Sequence, residues 1–199
     1  MRRLSLASLA LPVALLLAAV PVAADTTPGG GSGTYFQSFT SSCTGSTARQ
    51  VCTDTFVDSH PLEDGASEVC LDVYTYSINR NRFAFVSDTY GCAPGSAVVG
   101  SDYSVSLAPT EITMYTCAAH KKSCSGSTTN VTVSADDSPV GDPATTTSRT
   151  VTKVGGCTYT TRSTETDVEL AGTMTIDATT MDENGFVSVI DSTTTVRCK

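Results

Sequence analysis

The stretch CLDVYTYSINRNRFAFVSDTYGC, Cys70 to Cys92, decides the fold. Its residues alternate with the two-residue period of a strand, break at Asn79–Asn81, and alternate again. Folding the chain at that break makes a hairpin and brings Cys70 opposite Cys92, within reach of a disulfide.

The same alternation recurs on both sides. TYFQSFT, VCTDTFV, DYSVSL, EITMYTC, NVTVSA, SRTVTKV, CTYTTRST, GTMTID and GFVSVID are short runs rich in Thr, Val, Ser and Tyr, parted by turn residues. Helical periodicity is nearly absent outside the first residues. The expected fold is therefore all-β: a disulfide-stapled antiparallel β-sandwich. A second hairpin is expected in TMTIDATTMDENGFVSV, turning at Asn184–Gly185, which sets Met174 and Ile176 on one face with Val187 and Val189.

All eight cysteines, Cys43, Cys52, Cys70, Cys92, Cys117, Cys124, Cys157 and Cys198, follow the leader. No C-x-x-C occurs and the spacings are uneven, so they read as disulfides rather than zinc ligands. The expected pairs are Cys43–Cys52, Cys70–Cys92, Cys117–Cys124 and Cys157–Cys198, each closing a local loop, although eight cysteines allow about 105 connectivities. DSHPLED (Asp58–Asp64) and DDSPVGD (Asp136–Asp142) share a pattern of Asp, Pro, an aliphatic residue and Asp. A close cysteine pair precedes each and a Cys-led Tyr/Thr strand follows it. This order suggests a two-fold pseudo-repeat with halves 34–96 and 101–199.

The start has the plan of a secretory signal: Arg2 and Arg3, an apolar run from Leu4 to Val20, and small residues at Val22 and Ala24. Residues 1–24 are read as a signal peptide, 25–33 as a flexible linker and 34–199 as the folded module. The chain is then secreted, extracellular or held at the cell surface or periplasm, with no membrane span in the mature part. Losing Arg2 and Arg3 makes the formal charge of −8 two units more negative. Such a surface lacks the basic stripe that nucleic acid requires.

Chemistry is sparse. The sequence has two histidines, His60 and His120, and no G-x-S-x-G, H-E-x-x-H or P-loop. MYTCAAHKKSC frames His120, Lys121 and Lys122 between Cys117 and Cys124, a basic knob suited to an acidic protein or glycan. Asp58, Glu63, Asp64, Asp136, Asp137 and Asp142 are hard oxygen ligands on two expected loops, and calcium is the cation they would hold; no other cofactor is implied. DENG at Asp182 is accounted for by its turn, and Asn130 opens a glycosylation sequon. The inventory points to a non-enzymatic binding or structural module of the extracellular surface or matrix, with a protein or glycan partner. Two rivals are an inhibitor presenting Ala118–Ser123 or Gly45–Val51 to a protease, and a hydrolase using two carboxylates.

Overall fold

A computed structural model describes residues 32–46, 48–80, 82–118 and 128–198. The leader, most of the linker, the basic loop with His120, Lys121 and Lys122, and Cys124 lie outside the described residues. The described chain is strand throughout its regular parts: β1 (Gly33–Ser46), β2 (Arg49–Pro61), β3 (Ser67–Asn79), β4 (Arg82–Pro94), β5 (Val98–Val99), β6 (Val105–Ala118), β7 (Thr128–Pro139), β8 (Ala144–Val154), β9 (Cys157–Ile176) and β10 (Thr179–Cys198). No helix among the described residues is long and apolar enough to cross a membrane.

All pairs are antiparallel, and the order β10-β1-β2-β3-β4-β6-β7-β9 returns to β10 through the β9–β10 pair. The all-β, stapled, antiparallel fold expected is thus observed, and the inner faces that meet across the core belong to one sheet closed on itself. Eight strands enclose a space that side chains alone fill. Phe36, Val57, Val69, Leu71, Leu107, Ile112, Val133, Val168, Leu170, Met174 and Val187 fill it. The outward positions carry Asp58, Asp72, Asp88 and Asp136 alongside aromatic residues.

Closure is partial along the strands. Pairing of β1 with β10 ends at Phe39↔Asn184, and beyond it Thr40–Ser46 pair only with β2. At the other end of that seam, Asp191–Cys198 pair only with β9, an overhang of about 25 Å at the usual rise. Because β1 and β10 run antiparallel, one arm (the far ends of β1–β4) and the other (β8, β9 and the end of β10) leave opposite ends of the barrel. Strand β8 follows β7 along the same side of β9, and all its residues are exposed.

Three disulfides join directly opposed residues: Cys43–Cys52, Cys70–Cys92 and Cys157–Cys198, with Cα atoms 4.0, 4.1 and 4.0 Å apart. Cys117 is disulfide-bonded as well. Such bonds form and persist in an oxidising environment.

Two local expectations are corrected. The β9–β10 turn lies at Asp177–Ala178, where Asp177 takes φ 51° and binds Thr132 twice: its N–H donates to the Thr132 carbonyl at 2.8 Å, and its Oδ1 accepts from the Thr132 N–H at 2.9 Å. Asn184–Gly185 instead sits inside β10, where a Cβ on Gly185 would stand 2.6 Å from the Gln37 carbonyl oxygen. The glycine serves close strand approach rather than a turn. The acidic segments expected as loops are partly strand. Asp58 and His60 lie in β2, Asp136 and Asp137 in β7, and the prolines Pro61 and Pro139 end those strands.

Candidate functional site

The residues singled out for calcium do not converge. Asp58 Oδ2 lies 2.8 Å from His60 Nδ1, and Glu68 Oε1, on the next strand, lies 3.0 Å from His60 Nε2, so each ring nitrogen meets one carboxyl group. Burial raises the Asp58 carboxyl above its usual range, against the pull of His60. The neighbouring sulfurs of Cys70 and Cys92 are consumed in their disulfide, leaving no thiolate there for a metal. Asp64 Oδ1 accepts from the Ala66 N–H at 3.0 Å and holds the β2–β3 turn; Glu63 is exposed beside it. Successive side chains of a strand point to opposite faces. Accordingly Asp136 faces out and accepts from Ser106 Oγ at 2.9 Å, whereas Asp137 faces in; Asp142 is exposed beyond Pro139. Asn130 is exposed on β7, bonded to Thr113 and Glu111. Gly45 and Ser46 pair as strand with Gln50 and Arg49.

The outer face of β1–β4 and β6 gathers chemistry that the sequence reading passed over. Register places three cross-strand rows side by side: Phe39, Phe56, Asp72, Tyr90, Tyr115; then Ser41, Asp54, Tyr74, Asp88, Cys117; then Cys43, Cys52, Tyr76, Phe85. Phe83 joins them, its ring centroid 5.0 Å from Tyr76 and 6.3 Å from Tyr74. Tyr74 lies 5.4 Å from Phe85, and Tyr90 6.4 Å from Tyr115. These rings are open to solvent: Phe83 is 59%, Tyr90 47%, Tyr115 45% and Phe85 36% exposed. Three carboxyl groups sit among them. Asp54 accepts from Ser41 Oγ at 2.6 Å, and together with burial it raises the Tyr76 hydroxyl above its usual range. Asp72 and Asp88 are diagonal neighbours across β3–β4, and each keeps one buried oxygen with no partner. Burial, with the adjacent Asp88, pushes Asp72 up to about 6. The three rows contain no Lys, Arg or His.

A second carboxyl pair lies inside the barrel. Asp137, Gly172 and Glu183 are directly opposed on β7, β9 and β10, so both acids share the inner face across a glycine. Each is 4% exposed. Burial pushes Glu183 up to about 8, against the Ser38 hydroxyl, which pulls it down, and with the charge of Asp137 adding to the rise. Burial raises Asp137 too.

No match to this chain is found among protein-family models, curated proteins or solved structures. The alternation of CLDVYTYSI already put Asp72, Tyr74 and Tyr76 on one side of a strand, the signal for the outer face. Nothing local marks Glu183, because its partners come from strands 46 and 145 residues earlier in the chain.

Proposed function

We propose that this chain is an extracellular binding module that takes a basic partner, a Lys- or Arg-bearing segment of another extracellular protein, on the outer face of β1–β4 and β6. The observation that carries this reading is the Asp72–Asp88 pair, two half-buried carboxyl groups with unpartnered oxygens among exposed rings and no cation in their rows. A guanidinium or ammonium group satisfies such a setting twice, by charge-assisted hydrogen bonds to the carboxylates and by the ring faces. The acidic chain would draw a basic partner in and repel an anionic glycan. The Cys43–Cys52 bond in the third row stiffens this overhang, which reduces the entropy lost on binding.

A hydrolytic role for the same carboxyls is less well supported. They lie on the outer side of a closed sheet, with no walls described around them to exclude water from a reaction.

Calorimetry with an Arg/Lys-rich decapeptide, a neutral oligosaccharide and a sulfated oligosaccharide tests the reading. Only the peptide should bind, with affinity falling about tenfold from 50 to 300 mM salt. Asp72→Asn with Asp88→Asn, and separately Phe83→Ser with Phe85→Ser, should each weaken binding at least about tenfold. An inert peptide, or variants that bind as the parent does, would overturn the assignment; so would binding of the neutral sugar alone.

A further inference from the structure

Among the described residues, five oxygen atoms inside the barrel face one another without a well-formed hydrogen bond: Ser38 Oγ, both carboxyl oxygens of Asp137 and both of Glu183. They belong to one place. Asp137 and Glu183 share a cross-strand row, and Ser38 lies against the Glu183 carboxyl from the opposite side, on β1. Ser38 is wholly buried, and the acids are nearly so. Orphaned buried oxygens are rare in native proteins, and five together call for an explanation.

Among the described residues, the surrounding chain supplies no counter-charge. Every described Lys and Arg is exposed, and His60 is on the outer face, occupied by Asp58 and Glu68. Space is kept open beside the oxygens. A Cβ on Gly172 would collide with Asp137 Oδ1 and the Asp136 carbonyl oxygen, and one on Gly185 would stand 3.1 Å from the Ser38 Cβ. Two buried carboxylates with no positive partner cost far too much to remain as they are. Either a proton is shared between them or a cation lies among the five oxygens.

We propose that Ser38, Asp137 and Glu183 form a divalent-cation site inside the barrel, filled by calcium. The donors are all hard oxygens, and two carboxylates with a hydroxyl provide up to five of the six to eight that calcium takes. Calcium accepts irregular geometry, whereas magnesium demands a near-ideal octahedron and keeps several waters, for which an interior packed by side chains has little room. The ion would tie β1, β7 and β10 together across the seam where the sheet closes. This site is separate from the outer face and stands or falls without it.

The test uses the exported, oxidised protein. Its metal content is measured after equilibrium dialysis against micromolar to millimolar calcium, and its thermal midpoint is compared in 2 mM calcium and in EDTA, at pH 7.5. One calcium per chain and a midpoint raised by roughly 5 °C are expected. Glu183→Gln, which keeps the size and removes the charge, should lose at least about tenfold in calcium affinity while its circular dichroism is retained. If that variant does not fold, Ser38→Ala serves, with a smaller loss. Asp136→Asn, on the outer face, should bind as the parent does. No bound calcium with equal midpoints would overturn the proposal in favour of a shared proton. Unchanged binding by Glu183→Gln or Ser38→Ala, or loss confined to Asp136→Asn, would overturn the assignment of the ligands.

Discussion

At Asp72 a single carboxyl shows how position decides chemistry. In an open chain it would ionise near 3.8; between Phe56 and Tyr90 and beside Asp88 it holds its proton up to about 6. A folded-state value raised above the unfolded one means that folding favours the protonated group. That contribution is complete below about 3.8 and is lost as pH rises through about 6. Asp72→Asn should therefore raise the thermal midpoint at pH 7.5 by about 2–4 °C and leave it unchanged at pH 3.5; the shift is kept small because the site is partly solvated. The same variant should weaken a basic partner, so stability and binding respond in opposite directions. A pH series of melting curves on parent and variant checks the slope.

At the scale of elements, the strands were legible and their partners only in part. The β3–β4 hairpin forms where CLDVYTYSINRNRFAFVSDTYGC breaks, with Cys70 opposite Cys92. The β9–β10 hairpin turns seven residues before the expected Asn-Gly. Moving a turn by seven residues changes the pairing by an even number of positions, so Met174 and Val187 still share the inner face. Asn-Gly is a strong local turn signal, but here the need for a residue without a Cβ against β1 prevails. Gly172 is under the same constraint from β7. Gly172→Ala drives a methyl into the Asp136 carbonyl and the Asp137 carboxyl, both held by the sheet, and should cost about 3 kcal/mol or prevent folding. Gly141→Ala, whose added Cβ would have only ordinary contact with Glu169 at 3.9 Å, should cost less than about 1 kcal/mol. Chemical denaturation of both variants gives the comparison.

Over the whole molecule, one order of elements occurs twice, with β8 interposed the second time. A hairpin with a cysteine on its tip side comes first in each, β1–β2 and β6–β7. The second strand of each ends at a proline, Pro61 or Pro139, and a disulfide-linked pair follows, β3–β4 or β9–β10. These strands close one barrel around a single core from Phe36 to Val187. The arm of β8, β9 and the end of β10 lies outside that core, held by ladder hydrogen bonds and by Cys157–Cys198 at its far end. Reducing that bond, or Cys157→Ser with Cys198→Ser, should speed hydrogen exchange of Thr158–Arg162 and Thr193–Arg197 by about tenfold or more while the amides of Leu170 and Val187 stay protected. Uniform loss of protection would show that the arm and barrel unfold as one.

Strand class and the β3–β4 hairpin were determined by the sequence itself, because each rests on spacing along the chain, a period of two and a turn between two runs; the cysteine pairs were expected from local loop closure but chosen among many connectivities only by the fold. Closure of the sheet through β10 and β1 was decided only in the tertiary structure, and so was the meeting of Asp72 with Asp88 among open rings and of Glu183 with Asp137 and Ser38 in the interior. Those contacts depend on register between strands far apart in sequence. A register is chosen by how all the inner faces fill one common core, a condition that no single segment carries.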